Sequence, residues 1–532
     1  MNGWRLAYGV GLFVFVVLPL LMPLGELLSP AAWAWTPDDV ERQSHLCTNT
    51  LTLTAGVVAI SLPIGICLAV LLFRTSFFGR RSAQVLLALA LFVPLPIVVS
   101  SWQALLGAQG WLPIDLWRDA PGRPWASGMQ AAIWIHAIAA VPWAAFLVGM
   151  GLSRVEPELE DEARQVVGPW RVLLVITLPR TRASLLAAAL FVAMQTAAET
   201  TVTEMMQVRT LAEEMRTQFA LSEIGLARTL VVTLPALLAA WALVLAVVAH
   251  IEKSLPPMLL PQRMDLALDL RPRWLLPIIS AALIGMLIMP LGSLVRKLGL
   301  AGHPEHWETD TAWYFLRVAL RVLGSDLLAS LVTSAVTGLG VAVIGVIGCW
   351  LAKERVWFRW LLFGVLTWVW VLPGPAVGMA LHQTIMLLPE GPWKVLLWYG
   401  PSPAPLMWAQ GLRTLPIAVI FLWPVVRLLP RELFEEARLG GAGALSEFLH
   451  VVAPATWRPV LVCGLTSSAL CLAEVGASDR VATPGWEAFA ATLLKQMHTG
   501  VDNSVSALCI LMLLALTACL AVVSSLKSFL WR

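Results

Sequence analysis

The sequence predicts an all-α, polytopic membrane protein of about twelve transmembrane helices, arranged as two parallel six-helix repeats. Three observations predict it. Of the 532 residues, 58% are hydrophobic and only 13% are charged, where a soluble domain carries about 25% charged residues. Apolar stretches of about twenty residues, the length that crosses a bilayer, recur along the whole chain. Two polar segments inside this apolar chain also say the same thing: Glu158-Leu159-Glu160-Asp161-Glu162-Ala163-Arg164 is matched by Glu432-Leu433-Phe434-Glu435-Glu436-Ala437-Arg438.

Taken in order, the candidate spans are 6–24, 49–73, 85–106, 129–152, 183–205, 229–250, 274–292, 327–351, 360–382, 408–429, 459–478 and 503–526. Pro and Gly inside several of them are tolerated better in lipid than in water. Residues 6–22 could pass for a signal peptide, with Ala31-Ala32-Trp33-Ala34 as its cleavage site. They are read as an uncleaved first span, because removing it spoils an even topology. With the amino terminus in the cytoplasm, the inside segments hold 22 of the 36 Lys and Arg residues. This bias places both termini inside the cell and the protein in the inner membrane. A net charge of +3 is too small to imply a nucleic-acid partner. Many of the 26 Trp (Trp33, Trp35, Trp111, Trp117, Trp274, Trp393, Trp398) fall at span ends, as an interfacial belt does. The seven Cys lie mostly within apolar runs without disulfide or metal spacing, so they read as buried, inert thiols.

The halves align in the same direction at a nearly constant offset. Val93-Pro94-Leu95-Pro96 matches Leu372-Pro373-Gly374-Pro375 at an offset of 279, Pro142 matches Pro416 at 274, and Ala198-Glu199 matches Ala473-Glu474 at 275. Six spans per half keep both halves in one orientation, so the repeat is parallel, about an axis along the membrane normal. The expected organisation is a first span and external segment (1–46), a first repeat domain (47–252), a linker with the seventh span and an external segment (253–326), and a second repeat domain (327–532). Residues 251–273, with four basic residues and four prolines, are the cytoplasmic linker.

Each acidic segment falls between the fourth and fifth spans of its half. Pro157 and Pro430 precede an acidic turn, which favours a helix amino terminus. Gly168-Pro169 then breaks the helix, Trp170, Val172, Leu173 and Ile176 begin a second amphipathic stretch, and Leu178-Pro179 ends it. The result is two short helices at an angle, a shape that carries force to a soluble partner. One such loop reads equally well as an amphipathic linker on the lipid surface. Two at matching positions favour docking.

Acidic residues also occur at membrane depth: Glu199 and Glu204 at the end of the fifth span, Glu474 and Asp479 in the eleventh. An ionisable residue in a span costs about 2.5–3.5 kcal/mol on insertion scales and suggests a pathway. At 1.5 Å per residue, Glu199 sits roughly 25 Å above the cytoplasmic end of its span. One straight helix cannot aim both acids of a pair at one pore; Gly476 offers a break in the second half. The expectation is that Glu199 and Glu474 face the interface between halves, while Glu204 and Asp479, as possible path residues, are equally explained by local pairing, for instance with Arg209 and Arg480. His136 matches Gln410 and reads as a helix–helix contact.

The chain contains no Gly-x-x-x-x-Gly-Lys-Ser/Thr motif, no Gly-x-Ser-x-Gly, and no metal-site spacing. No catalytic residue, metal site or cofactor is expected, and any ATPase must be a separate subunit. The paired loops resemble the Glu-Ala-Ala loops of binding-protein-dependent ABC importer permeases. Most similar is the fused ferric-iron permease group, also through Glu474-Val475-Gly476-Ala477-Ser478 and Thr483-Pro484-Gly485-Trp486-Glu487. The resemblance implies ATPase-coupling roles for Glu162, Ala163, Gly168, Leu178 and Pro179, and for Glu436, Ala437, Gly441 and Pro454. It implies as partners a cytoplasmic ABC ATPase dimer and a periplasmic or lipid-anchored solute-binding protein. Ferric iron is the implied cargo; thiamine and phosphonate compounds are alternatives, and an ion-coupled secondary transporter is the competing class. Two departures stand out. Both loops read Glu-Ala-Arg, and Pro179 and Pro454 follow the Glu by 17 and 18 residues rather than about nineteen. The second loop, with Ala442 at the seventh position, is expected to couple differently from the first.

Overall fold

The computed structural model describes the chain apart from residues 1, 35, 107–126, 154, 222, 255–272, 303–304 and 531–532. Trp35, Trp111, Trp117 and most of the basic linker expected at 251–273 lie outside the described residues. The chain opens with α1 (Asn2–Leu12), which runs on through a π-turn at Phe13–Val17 to Leu21. The first set follows: α2 (Pro37–Arg74), α3 (Arg80–Ala90), α4 (Leu95–Leu106), α5 (Gly128–Leu152), the short α6 (Pro157–Arg164) and α7 (Pro169–Val172), α8 (Arg182–Ala197), α9 (Leu211–Leu221) and α10 (Glu223–Ser254). After α11 (Leu275–Leu298) the order repeats: α12 (Thr309–Lys353), α13 (Val356–Val371), α14 (Gly374–Leu387), α15 (Ala404–Arg427), the short α16 (Arg431–Leu439) and α17 (Ala444–Glu447), α18 (Ala453–Ala473), α19 (Phe489–Met497) and α20 (Asn503–Leu530).

The protein is an all-α polytopic membrane protein. Among the described residues, eight helical segments are individually long and apolar enough to cross a bilayer, and three bent pairs qualify jointly. Strand structure among the described residues amounts to a two-residue pairing, Leu300–Ala301 with His306–Trp307, and an isolated bridge between Thr483 and Trp486.

Two expected spans are not straight. The chain turns by 106° between α3 and α4, and by 107° between α13 and α14. Pro94 and Pro96, and Pro373 and Pro375, cause this: each lacks an N–H, and each ring displaces the carbonyl four residues back. The residue before a proline is driven to extended backbone, and Leu372 accordingly has ψ 135°. Two other spans stop early. The fifth ends at Ala197 instead of 205, and the eleventh at Ala473 instead of 478. Gly476 lies inside the second of these breaks, as expected.

Prolines shape the loop regions in a second way. The π-turns Phe13–Val17, Leu173–Thr177, Val395–Tyr399 and Phe448–Val452 each end two residues before a proline (Pro19, Pro179, Pro401, Pro454). A widened turn accommodates the ring and the missing donor. Pro179 was expected to end the helix, yet the chain continues to Arg180 before bending 67° into α8. Pro454 lies inside a continuous helical run, Ala444–Ala473.

The halves are interlocked. Leu12, Val16 and Leu20 of the first helical segment share one apolar core with Val341, Trp350, Phe358 and Trp423 of the second half. Tyr8 Oη donates to Ile344 O at 3.1 Å, and Trp408 Nε1 donates to Phe15 O at 2.8 Å. In return α11 packs on the first half: Leu294 and Leu298 lie with Ile97 and Leu105, and Ser293 Oγ donates to Ser101 O at 2.8 Å. The last helices cross as well. Trp241 on α10 donates to Gly364 O at 3.0 Å, while Leu508 and Met512 on α20 join the core around Ile97.

Candidate functional site

The two acidic loops form at the same end of the bundle, each rooted on the long helix that opens its half. In the first, Glu160 is the acidic residue that is not exposed: it is 1% exposed and pairs with Arg74, the last residue of α2. Thr177 Oγ1 donates to the other Glu160 oxygen at 2.6 Å. In the second, Phe434 takes the place of Glu160 and Lys353 that of Arg74. Lys353 Nζ lies 4.3 Å from the Phe434 ring centroid and donates to Leu429 O at 2.6 Å. A buried ion pair in one half is thus a cation–π contact in the other.

The turns differ by one residue. In the first loop Val166 and Val167 N–H both bond Ala163 O, and Gly168, with φ −67° and ψ 160°, caps α7. In the second, α16 ends on a left-handed glycine, Gly441 at φ +80°. Gly441 N–H bonds Arg438 O and Ala442 N–H bonds Ala437 O, the paired bonds of a Schellman end. The cap of α17 is then Gly443, at φ −71° and ψ 170°. So the counterpart of Gly168 is Gly443, and Gly441 is the added residue. The sequence reading counted from the Glu to Ala442 and took Gly441, one of the glycines beside it, as the match of Gly168; the cap geometry gives Gly443.

Glu162 and Glu436 are exposed; Ala163, Ala437 and Leu178 are half-buried; Pro179 and Pro454 are exposed. Beside them both loops expose apolar side chains at matching positions: Trp170 (53%) with Leu445 (54%), and Leu174 (60%) with Leu449 (51%).

The Arg of each Glu-Ala-Arg behaves differently. Arg164 meets Asp161 of its own helix at 3.2 Å, and its Nε and Nη2 have no acceptor among the described residues. Arg438 Nε donates to Glu447 at 2.7 Å, and Arg438 also pairs with Glu354. Glu447, and then Glu354, hold this guanidinium protonated well above the ordinary arginine range.

A second feature lies between the halves. A cavity of about 230 Å³ is walled by both breaks and both acids, Glu199 and Glu474. Trp143, Phe191 and Trp370 cross it as an aromatic row, with centroids 5.0 and 5.4 Å apart. Each acid is occupied. Glu199 accepts Thr201 N–H at 2.6 Å and Val202 N–H at 2.9 Å. Glu474 accepts Ala477 N–H at 2.8 Å, Ser478 N–H at 3.1 Å, and the Ser478 hydroxyl. Each carboxylate therefore restarts the chain after its helix has broken, by satisfying amides that the break leaves bare. His136 Nε2 lies 3.6 Å from Glu199 Oε2, and Gln410 at the matching position donates to Cys471 O at 3.0 Å.

The cavity also holds Arg413, which the sequence reading missed. Its matching position is Ala139. Arg413 Nη1 donates to Leu372 O at 2.8 Å, at the broken end of α13. Its Nε and Nη2 have no acceptor among the described residues, and the residue lines the cavity. Arginine inside an apolar stretch was the available signal. Among the described residues, no group of three His, Cys, Asp or Glu could hold a metal ion.

Glu204 and Asp479 stand apart from the cavity walls. Glu204 pairs with Arg216, and His498 Nε2 of the second half lies 3.2 Å away. Arg209, the partner suggested from sequence, instead accepts Asn49 Nδ2 at its carbonyl. Asp479 lies 3.9 Å from Arg480.

No protein-family model matches the chain. Over 145 residues, 27% of this chain, it is 33% identical to the "Molybdenum transport system permease protein ModB" of Escherichia coli (strain K12), and equally to that of Escherichia coli O157:H7. The chain spans 62% of the length of these relatives. The likeness is to a permease.

Proposed function

We propose that this chain is the membrane permease of an ATP-driven ABC importer, both permease domains fused in one polypeptide. The observation that carries the reading is the pair of elbows α6–α7 and α16–α17. Each has an acidic first helix, a capped turn, and apolar side chains exposed at matching places. Such faces are unpartnered in the chain alone and suit insertion into a soluble ATPase, one subunit of a dimer per loop. Glu162, Ala163, Gly168, Leu178 and Pro179, with Glu436, Ala437, Gly441 and Pro454, are the proposed coupling residues. The chain catalyses no reaction itself. Both termini lie in the cytoplasm, the halves comprise residues 47–252 and 327–532, and a binding protein delivers solute to the opposite face. The likeness to a permease supports the class.

Ferric iron is the cargo drawn from the resemblance of the Glu474 region. A second cargo, an oxyanion such as molybdate, has its own support. Both cavity carboxylates are bonded to backbone donors, whereas Arg413 keeps two nitrogens free. Both of the relatives are also named for molybdenum transport. The cavity between the halves is the proposed path, with Glu199 and Glu474 on its wall and Glu204 and Asp479 beyond it.

The test is uptake into liposomes, with and without a partner ATPase, of ferric ion and of molybdate separately. ATP-dependent uptake that needs the ATPase is the expected result. Uptake driven by an ion gradient without ATPase would replace this reading with a secondary transporter.

A further inference from the structure

The first helix reaches the second acidic loop through a row of alternating charges. Arg5 is 2% exposed, and its Nε donates to Leu351 O at 3.0 Å. Its Nη2 lies 3.5 Å from Glu354 Oε2. The other Glu354 oxygen pairs with Arg438 of α16. Arg438 Nε then reaches Glu447 of α17 at 2.7 Å, and Glu447, itself 2% exposed, accepts Trp350 Nε1 at 3.0 Å. Four charges of alternating sign thus join α1, the end of α12, α16 and α17. The two end members, Arg5 and Glu447, are shielded from water and salt, which leaves their contacts stronger than a surface pair, whereas Glu354 and Arg438 between them are 34% and 39% exposed.

The first loop has no such row. The positions matching Glu354, Glu447 and Trp350 are Thr75, Val172 and Leu71. Arg164, which matches Arg438, meets only Asp161 of its own helix among the described residues. The Arg that departs from Glu-Ala-Ala is therefore anchored outside its loop in one half only.

We propose that Arg5 and Glu354 are positioning residues: through Arg438 and Glu447 the first helix fixes the pose of the second loop, whereas the first loop is held on α2 by Arg74–Glu160 and takes no support from the first helix. The proposal rests on the reading of these loops as docking elements, but its physical core is tested without any ATPase.

The experiment is hydrogen exchange on the full chain in nanodiscs. Arg5→Gln should speed exchange across 431–452 about tenfold, the loss expected when a partly buried charged contact is removed. Exchange across 157–177 should not change. Arg5→Lys should restore most of the protection. Glu354→Gln, at a half-exposed helix end, gives the same reading should Arg5→Gln fold poorly. Tyr8→Phe is the control, because it removes the bond to Ile344 without touching the row. If Tyr8→Phe loosens 431–452 as much as Arg5→Gln does, the first helix is merely a packing support and the proposal is overturned. Unchanged exchange in both Gln variants overturns it too. A functional arm uses the Glu162→Lys, Glu436→Lys double variant: should it transport normally, the docking reading fails while the exchange result still stands.

Discussion

At the residue scale, the two acids between the halves do more than carry charge. Each holds a chain restart by accepting backbone N–H groups, so an amide at the same place loses an acceptor. Glu474→Gln should lower the thermal stability of the detergent-solubilised protein by about 1–3 kcal/mol, the cost of leaving buried donors unpaired. Glu199→Gln, with two donors against three, should cost less; differential scanning of the two variants checks the order. A larger loss for Glu199→Gln would mean that these bonds do not set the effect. Arg413 differs, since it lines the cavity and two of its nitrogens have no acceptor among the described residues. If the cargo is an oxyanion, Arg413→Gln should slow its uptake severalfold while sparing insertion, measured as initial rate per folded molecule. The positions of both acids were legible in sequence, because the repeat offset pairs them and a carboxylate is costly in a span. Their partners were not, because a break in the helix decides which amides a side chain can reach. The buried pair Arg74–Glu160 was hidden for a related reason: nothing in a run of five acidic and two other residues marks the one that turns inward. Removing it should be expensive. Glu160→Gln leaves Arg74 buried without its charge, which costs about 3–5 kcal/mol in comparable cases. Glu160→Phe combined with Arg74→Lys copies the second half's contact and should recover much of that loss in a thermal melt.

At the element scale, the first elbow was read correctly as two short helices, but neither proline after the elbows ends its helix, and the second elbow runs on unbroken from Ala444 to Ala473. What the residues did not reveal is that a proline can be absorbed by a π-turn, so the helix runs through Pro454 and, for one residue, past Pro179. Whether a proline stops, bends or merely widens a helix depends on whether neighbouring helices hold the carbonyls it displaces. The same proline chemistry broke the third and ninth spans outright. Glycine content misled in the opposite direction, since Gly440, Gly441 and Gly443 look interchangeable. Only Gly441 adopts a left-handed conformation. Gly441→Ala should therefore cost about 1 kcal/mol from backbone strain, whereas Gly168→Ala, at an ordinary φ with open space around it, should be neutral. Exchange rates over 436–447 and over 163–172 distinguish the two. A neutral Gly441→Ala would mean that the Schellman end is not retained in solution.

At the scale of the whole molecule, hydropathy expected twelve spans where eight helices, or eleven with the bent pairs, qualify among the described residues, and it did not show which half each one packs against. A helix surface that meets lipid and one that meets another helix are equally apolar, so sequence carries little signal for exchange between halves. The first helix makes its bonds some 340 residues away, to Ile344 and Leu351. A chain cut between residues 262 and 263 should thus give two fragments that co-purify when made together. Each made alone should aggregate or be degraded, because α1 and α10 would lack their surfaces. Stable separate fragments would contradict the interlocked packing. Glu252 sharpens the point. It sits at the end of α10 and accepts Arg427 Nη1 at 2.8 Å and Trp423 Nε1 at 3.0 Å, with Arg359 at 3.3 Å, all from the second half.

The exchanged first helix also sets a clock on biogenesis. It is made some 330 to 411 residues before the residues that complete its core, among them Trp350, Phe358 and Trp423. At about 5–20 residues per second, α1 waits roughly 20 to 80 s in the bilayer before its neighbours exist. Throughout that interval Arg5 has neither Leu351 nor Glu354 to bind and must keep its charge at the headgroups. The first helix is therefore committed to membrane insertion long before it can close its own contacts with the second half. Any slowing of synthesis between the halves lengthens the period in which quality-control proteases meet an unpartnered helix.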